Sequence, residues 1–409
     1  MESGSATDTG MSNAKRVLCA MRWPLGGIRT YLLYNYPLLR DHGFRFTFVG
    51  PNDESFRAFR EGFGDWEEIE FAAAPIVKRR CLLRREIRRL LRTGRYELIH
   101  SQGFTAAFES VTANLGLGIS HLVTSHDVIL PGQYRGLIGR VKREILGRTL
   151  GRADVIISVS EDAQANLLAS LPRVPHDRCI TIRNGIDVRH LGGPGQSQEK
   201  DSSLRGRHNL GEDVFLIGFL GRFMEQKGFL PLLRALKQLI SRPPERRFHL
   251  IAVGKGDYIR EYQAEAARLG VTERVTFLDF QPNPASVLKQ LNLVVIPSLW
   301  EACPLLPMEA MMLGVPVLGT NCIGLREVLR DTPSLMVPAG DDVELAEGLQ
   351  FAITKPWPDA ARAFAPRARV RFDVANSARS LLGVFTQLSP QHRTELASSG
   401  SAALSTHGT

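Results

Sequence analysis

The sequence predicts an α/β protein made of two parallel-sheet domains, and three observations carry that reading. A strand, a glycine-bearing loop, a helix and a second strand follow one another within the first fifty residues. The same alternation restarts at Phe215, after a polar stretch over residues 192–205. Glycines and charged residues recur just past the ends of the predicted strands, where parallel sheets bind ligands.

The elements follow in order. Arg16 to Met21 reads as a strand, Pro24 to Gly27 as a loop, and Tyr31 to Leu39 as a helix stopping near His42 and Gly43. Phe44, Phe46 and Phe48 alternate with Arg45 and Thr47 in the next strand, which ends at Gly50 and Pro51. Leu98–His100, His121–Thr124, Val155–Val159 and Ile180–Ile182 are short buried-strand candidates with helices between them. The second series runs Phe215–Leu220, Phe248–Val253, Val275–Leu278, Leu293–Ile296 and Val315–Leu318. The expected boundaries are a disordered tail over 1–14, a first domain over 15–191, a linker region over 192–205, a second domain over 206–369 and a disordered tail over 389–409. The helix near Val374–Thr386 has no place in the second series. A segment over about 370–388 is expected to return to the first domain.

Composition excludes several classes. The 409 residues are 44% apolar and 23% charged, an ordinary globular balance. Five scattered cysteines match no metal-ligand spacing and indicate reduced thiols. The N-terminus has no apolar signal core, and no run approaches ~18 apolar residues, so neither secretion nor a membrane span is expected. A cytoplasmic protein, at most peripheral on the inner face of the membrane, is expected. The net charge of +9 points to anionic partners.

The most informative stretch runs from Ile296 to Val317. A strand ends at Pro297, a loop follows through Pro304, and a helix through Met308–Leu313 stops at Gly314 with Pro316 behind it. Glu301 and Glu309 bracket the helix start. Eight residues of helix rise about 12 Å, too far for two carboxylates to share one atom. Either they hold two ends of an elongated polar ligand whose anionic middle faces the helix N-terminus, or Glu301 is a cap and Glu309 a buried, hydrogen-bonded acid. After Leu220, Arg222 and Lys227 with Gly221 and Gly228 suit a diphosphate, or form a solvated turn. Gly254 and Gly256 repeat that strand-end pattern. In the first series, Gly26 and Gly27 either offer backbone N–H to a phosphate or permit a tight turn. His126, at a strand end, is either a ligand-facing residue or a structural one; His100 is a weaker case of the same kind. No Asp-x-Asp pair and no His or Cys cluster is present to hold a metal.

Two helices are strongly basic. Between Lys78 and Arg95 nine Lys or Arg face a single acid, and Leu83, Ile87, Leu90 and Leu91 keep one apolar face. The second, near Leu137–Leu150, carries Arg140, Lys142, Arg143 and Arg148. These are either solvated faces or a surface for anionic lipid or a lipid-phosphate acceptor. No interleaved aromatics or recognition-helix pattern points to nucleic acid.

Taken in order, these segments resemble the family 4 glycosyltransferases, the large retaining group with the GT-B fold. The resemblance covers roughly Arg16 to Phe385. It rests on Gly26-Gly27-Ile28, Thr124-Ser125-His126-Asp127, Val159-Ser160-Glu161, Asn184-Gly185-Ile186-Asp187, Gly221-Arg222 with Lys227-Gly228, Val253-Gly254-Lys255-Gly256, and Pro297-Ser298 leading to Glu301 and Glu309. Asp279, Ile323 and the Ala302-Cys303-Pro304 loop depart from the family's more glycine-rich pattern. The resemblance implies two Rossmann-like domains facing across a cleft and a last helix crossing back to the first. It implies transfer of a sugar, with retention, from a nucleotide-diphosphate sugar to an acceptor glycan or lipid-linked glycan, without a cofactor or metal. It further implies Arg222 and Lys227 at the diphosphate, Glu309 at the ribose and Glu301 at the donor sugar. Backbone N–H groups near Leu305 and Leu306 would face phosphate or sugar, Gly27 would approach the phosphate, and His126 would contact the transferred sugar. A non-catalytic sugar-nucleotide-binding subunit and a GT-B nucleotide-sugar epimerase are the alternatives.

Overall fold

A computed structural model describes residues 15–389 except 41, 65, 67, 68, 79, 193–202, 282 and 356. Both expected tails lie outside the described residues, apart from Ser389, as does most of the expected linker. The chain forms two compact units. One takes in the chain to Val159, Gln164–Arg183 and the segment from Ala375; the other takes in Ser160–Ala163 and Asn184–Val374. The long crossing of the chain thus falls at Arg183 and Asn184, ahead of the 192–205 stretch.

The first unit is built on a seven-stranded sheet. Its spatial order is Glu70–Ala74, Phe44–Pro51, Lys15–Met21, Leu98–Gln102, Ser120–Ser125, Val155–Ser158 and Cys179–Thr181, all parallel. The strand order reverses between Lys15–Met21 and Leu98–Gln102. Phe46, Phe48, Phe59, Phe63 and Phe71 interlock on one side as a cluster of edge-to-face, tilted and stacked rings, filling the volume that helices cover in a parallel sheet. The C-terminal helix Val374–Leu388 belongs to this unit from Ala375 onward. Leu381, Val384, Phe385 and Leu388 join its core, and Ser377 donates to Asn35 at 2.6 Å.

The second unit carries six parallel strands, ordered Val275–Leu278, Phe248–Val253, Phe215–Leu220, Leu293–Ile296, Val317–Thr320 and Leu335–Val337. The reversal falls between Phe215–Leu220 and Leu293–Ile296. Leu293–Ile296 is buried throughout, which is why it reads as an unbroken apolar run rather than an alternating one. Two edge strands, Glu70–Ala74 and Leu335–Val337, and a short antiparallel pair at Ile76–Val77 and Arg80–Cys81 escape the sequence reading. The basic helix expected over Lys78–Arg95 is shorter, Leu83–Leu91, because that hairpin precedes it; its face of Leu83, Ile87, Leu90 and Leu91 is buried as expected.

Phe385 is fully buried, with its ring 5.4 Å from those of both Phe44 and His100. Phe385→Ala should therefore cost about 3–5 kcal/mol of stability in the first unit, read as an earlier midpoint in urea unfolding.

Candidate functional site

In an open parallel sheet the loops after two strands diverge where the order reverses, leaving a crevice at their carboxyl ends. In the second unit those loops are Gly221–Gly228 and Pro297–Leu305. They are tied together: Leu299 N–H donates to Gln226 O at 2.8 Å, and Gln226 Nε2 donates to Trp300 O at 2.9 Å. Gly228 makes this approach feasible. It has a left-handed φ of 65°, and a Cβ there would lie 1.8 Å from the Pro297 carbonyl oxygen. Gly254, at the next strand end, lies equally close to the Gly221 carbonyl, which would be 1.8 Å from an added Cβ.

Lys227 is thereby set beside Glu301. Its Nζ lies 2.6 Å from Glu301 Oε1, which also accepts a 2.7 Å hydrogen bond from Ser298 Oγ; Gln226 Nε2 stands 3.5 Å from Oε2. Glu301 is buried, Lys227 half-buried and Arg222 exposed, with no ion pair to another described residue. The helix begins at Leu306 and ends at Met312, so Glu301 lies in the loop. The expected span between the two acids, reckoned as continuous helix, does not apply.

Glu309 occupies the first turn of that helix and is 7% exposed. No described group hydrogen-bonds its carboxylate, and burial raises its pKa from 4.5 to about 7. The capping and hydrogen-bonded alternative thus fails on both acids: Glu301 is held by Lys227 and Ser298, and Glu309 has no donor among the described residues. Leu305 caps the helix without a side-chain hydrogen bond, so the first-turn N–H groups of Leu305 and Leu306 gain no side-chain acceptor there. Asn184 seats the same loop, donating from Nδ2 to Cys303 O at 2.9 Å, with its own Oδ1 buried and unpaired.

The first unit holds Gly26, Gly27 and His126. Gly26, expected in a loop, is the first residue of the helix Gly26–Arg40, and a Cβ on Gly26 or Gly27 would meet nothing within 4 Å. The start of that helix lies beside this sheet's own reversal point. His126 follows the strand Ser120–Ser125. Its Nε2 lies 2.9 Å from Gln102 Oε1, and the Tyr31 ring stands edge-on at 5.0 Å. Gln102 Nε2 in turn lies 3.1 Å from His100 Nε2, and His100 Nδ1 lies 2.6 Å from the Tyr36 hydroxyl. With the Gln102 amide so oriented, the His126 proton sits on Nε2 and Nδ1 is left as an acceptor. Burial pushes the pKa of His126 down to about 3, so the ring is neutral at ordinary pH. His100 is a fully buried core histidine in this network, not a site residue.

Sequence reasoning missed Ser298, Gln226, Gln102 and Tyr31. Each is a common residue whose role comes from the partner the fold sets beside it. Among the described residues, no three His, Cys, Asp or Glu side chains gather as a metal site, and no helix is long and apolar enough to cross a membrane.

Two doubly wound units define the GT-B class. The crystal structure of Anabaena HepE in complex with UDP and glucose matches with a TM-score of 0.78 at 21% identity, over 91% of this chain and 100% of that one. Residues 25–190 match the family model described as Glycosyltransferase Family 4, and residues 214–355 the model described as Glycosyl transferases group 1. The chain belongs to the family 4 glycosyltransferases. Among its relatives, an uncharacterized glycosyltransferase of Methanocaldococcus jannaschii is 36% identical over 122 residues; the match spans only 30% of either chain. A D-inositol 3-phosphate glycosyltransferase of Stackebrandtia nassauensis is 27% identical over 309 residues, 71% of this chain and 68% of that protein.

Glu309 makes a testable difference to stability. Its folded pKa lies above its unfolded value, so the folded state holds the proton more tightly. The resulting stability is present below pH 4.5 and lost as pH rises to about 7. Glu309→Gln should therefore raise stability by on the order of 3 kcal/mol at pH 8 in the absence of donor. It should change little at pH 4, as followed by thermal unfolding across that range.

Proposed function

We propose that this chain is a retaining hexosyltransferase. It moves a sugar from a nucleotide-diphosphate sugar to a hydroxyl of an acceptor glycan or lipid-linked glycan, in cell-surface polysaccharide or glycolipid assembly. The observation that carries this reading is the Glu309 carboxylate, buried without a protein donor at the reversal point of the sheet, with Arg222 and Lys227 at the adjacent strand end. Ribose hydroxyls are the donors such a carboxylate lacks, and a diphosphate is the anion that an arginine fork and a lysine suit. The UDP and glucose named for the HepE structure accord with that donor class.

On this reading Arg222, Lys227 and the N–H groups of Leu305 and Leu306 bind the diphosphate, with Gly254 giving it room; Gly26 and Gly27 offer backbone N–H groups suited to a phosphate. The bond between the anomeric carbon and the diphosphate oxygen breaks, and its electron pair stays with the diphosphate. The acceptor oxygen bonds to the anomeric carbon on the same face, and its proton passes to the departing phosphate oxygen. Lys227 and Arg222 offset the charge that develops, without a metal. Glu301 holds Lys227 in place and offers Oε2 to a sugar hydroxyl, while Nδ1 of His126 accepts from another.

A panel of UDP-, GDP- and ADP-sugars tests the reading. One donor should bind and release its nucleotide, EDTA should leave turnover unchanged, and absence of both binding and release across the panel would overturn it. Glu309→Ala should weaken donor affinity by about ten- to a hundredfold, whereas Glu301→Ala should chiefly lower kcat. Equal effects on both parameters would refute that division. Donor affinity should also increase as pH rises to about 7, since ribose hydroxyls bond the ionised Glu309. That dependence should vanish in Glu309→Gln.

A further inference from the structure

The helix Gly136–Leu150 in the first unit is inside out. Leu137, Ile138, Val141 and Ile145 are exposed by 79%, 73%, 50% and 49%, while the buried side carries Gly139, Gly147, Thr149 and Leu150. At 100° per residue the four exposed aliphatics fall within one 100° arc, opposite Gly139 and Leu150. The glycines let the helix sit close: a Cβ on Gly139 would lie 2.4 Å from the Tyr134 carbonyl carbon, and one on Gly147 would lie 3.1 Å from Arg173 Cβ. Four large aliphatic side chains are thus turned outward while glycines take two of the inward positions beside Leu146 and Leu150, more exposed apolar surface than a solvated helix needs.

We propose that this face docks on an anionic phospholipid surface. Exposed Arg140 and Lys142 flank the apolar arc on its two sides, Arg148 falls within it, and exposed Arg143 lies on the far side of the helix. The helix's one acid, Glu144, is already engaged by Arg148 at 3.0 Å and Arg173 at 2.8 Å. An apolar strip rimmed by cations matches acyl chains beneath anionic headgroups. A second copy of the chain fits poorly: a two-fold contact would bring the same cations of both copies together. The Leu83–Leu91 helix, equally basic, lacks the apolar strip. Its aliphatics are buried, Arg88 bonds the carbonyls of Ala113 and Leu115, and Arg89 pairs with Glu86. The docking surface stands apart from the transfer reaction, and its test reads lipid partitioning alone.

Co-sedimentation with vesicles of phosphatidylcholine and phosphatidylglycerol in equal parts, against phosphatidylcholine alone, decides it. The protein should pellet with the anionic vesicles and far less with the neutral ones, and added salt should release it. Ile138→Ser combined with Val141→Ser and Ile145→Ser should lower partitioning by about tenfold or more. These side chains face solvent, so the thermal midpoint should hold. Arg140→Glu with Lys142→Glu, a second variant that alters only charge, should remove the preference for anionic lipid. Arg84→Glu with Arg85→Glu should retain binding. The proposal is overturned if the wild type does not pellet, if the serine variant pellets as well as wild type, or if the Arg84 and Arg85 variant loses as much. It is also overturned if the serine variant instead abolishes a concentration-dependent dimer in sedimentation velocity.

Discussion

The candidate site of the second unit depends on one close approach, the Gly228 turn against the Pro297 carbonyl. A side chain at 228 would occupy the position of that oxygen, so the loop after Phe215–Leu220 can lie on the loop after Leu293–Ile296 only through a glycine. From this contact follow the two hydrogen bonds between Gln226 and the 297–303 loop, and the setting of Lys227 beside Glu301. The reversal of strand order opens a crevice there, and the glycine brings its two walls into register.

The two acids of the Ile296–Val317 stretch meet opposite conditions within a few residues of each other. Glu301 is satisfied by an ammonium and a hydroxyl, and it acts by holding Lys227 where the strand ends. Glu309 has burial without a donor, an arrangement that is unfavourable in the protein alone and that a polyhydroxylated ligand relieves. Their common residue type conceals a difference between a carboxylate that the fold pairs and one that it buries with no donor among the described residues.

Much of the architecture was legible in the sequence, because buried parallel strands are written as short β-branched and apolar runs punctuated by glycine and proline. Phe215–Leu220 and Phe248–Val253 were read to the residue. The strands that escaped, Glu70–Ala74 and Leu335–Val337, sit at sheet edges. There a strand can be short or rich in alanine and leaves little hydrophobic signal. The hairpin before Leu83–Leu91 escaped for the same reason. In the site, glycines and charges at strand ends marked Arg222, Lys227, Glu301 and Glu309, but no spacing in the sequence foretold that Ser298 and Gln226 would gather around Glu301.

By itself the sequence determined the two βα series, the strand-end positions of the charged residues and the apolar face of the Leu83–Leu91 helix. These depend on local periodicity and on backbone limits that single residues impose. Only the tertiary structure decided which face of a helix meets solvent and which carboxylate finds a cation. Both basic helices mix aliphatics with arginines, yet one buries its leucines and the other turns Leu137, Ile138, Val141 and Ile145 outward. That outcome depends on the shape of the neighbouring surface, which admits glycine and not isoleucine. Likewise Glu301 and Glu309 acquire different chemistry from what the fold brings within about 3 Å of each, a long-range pairing that residue spacing does not encode.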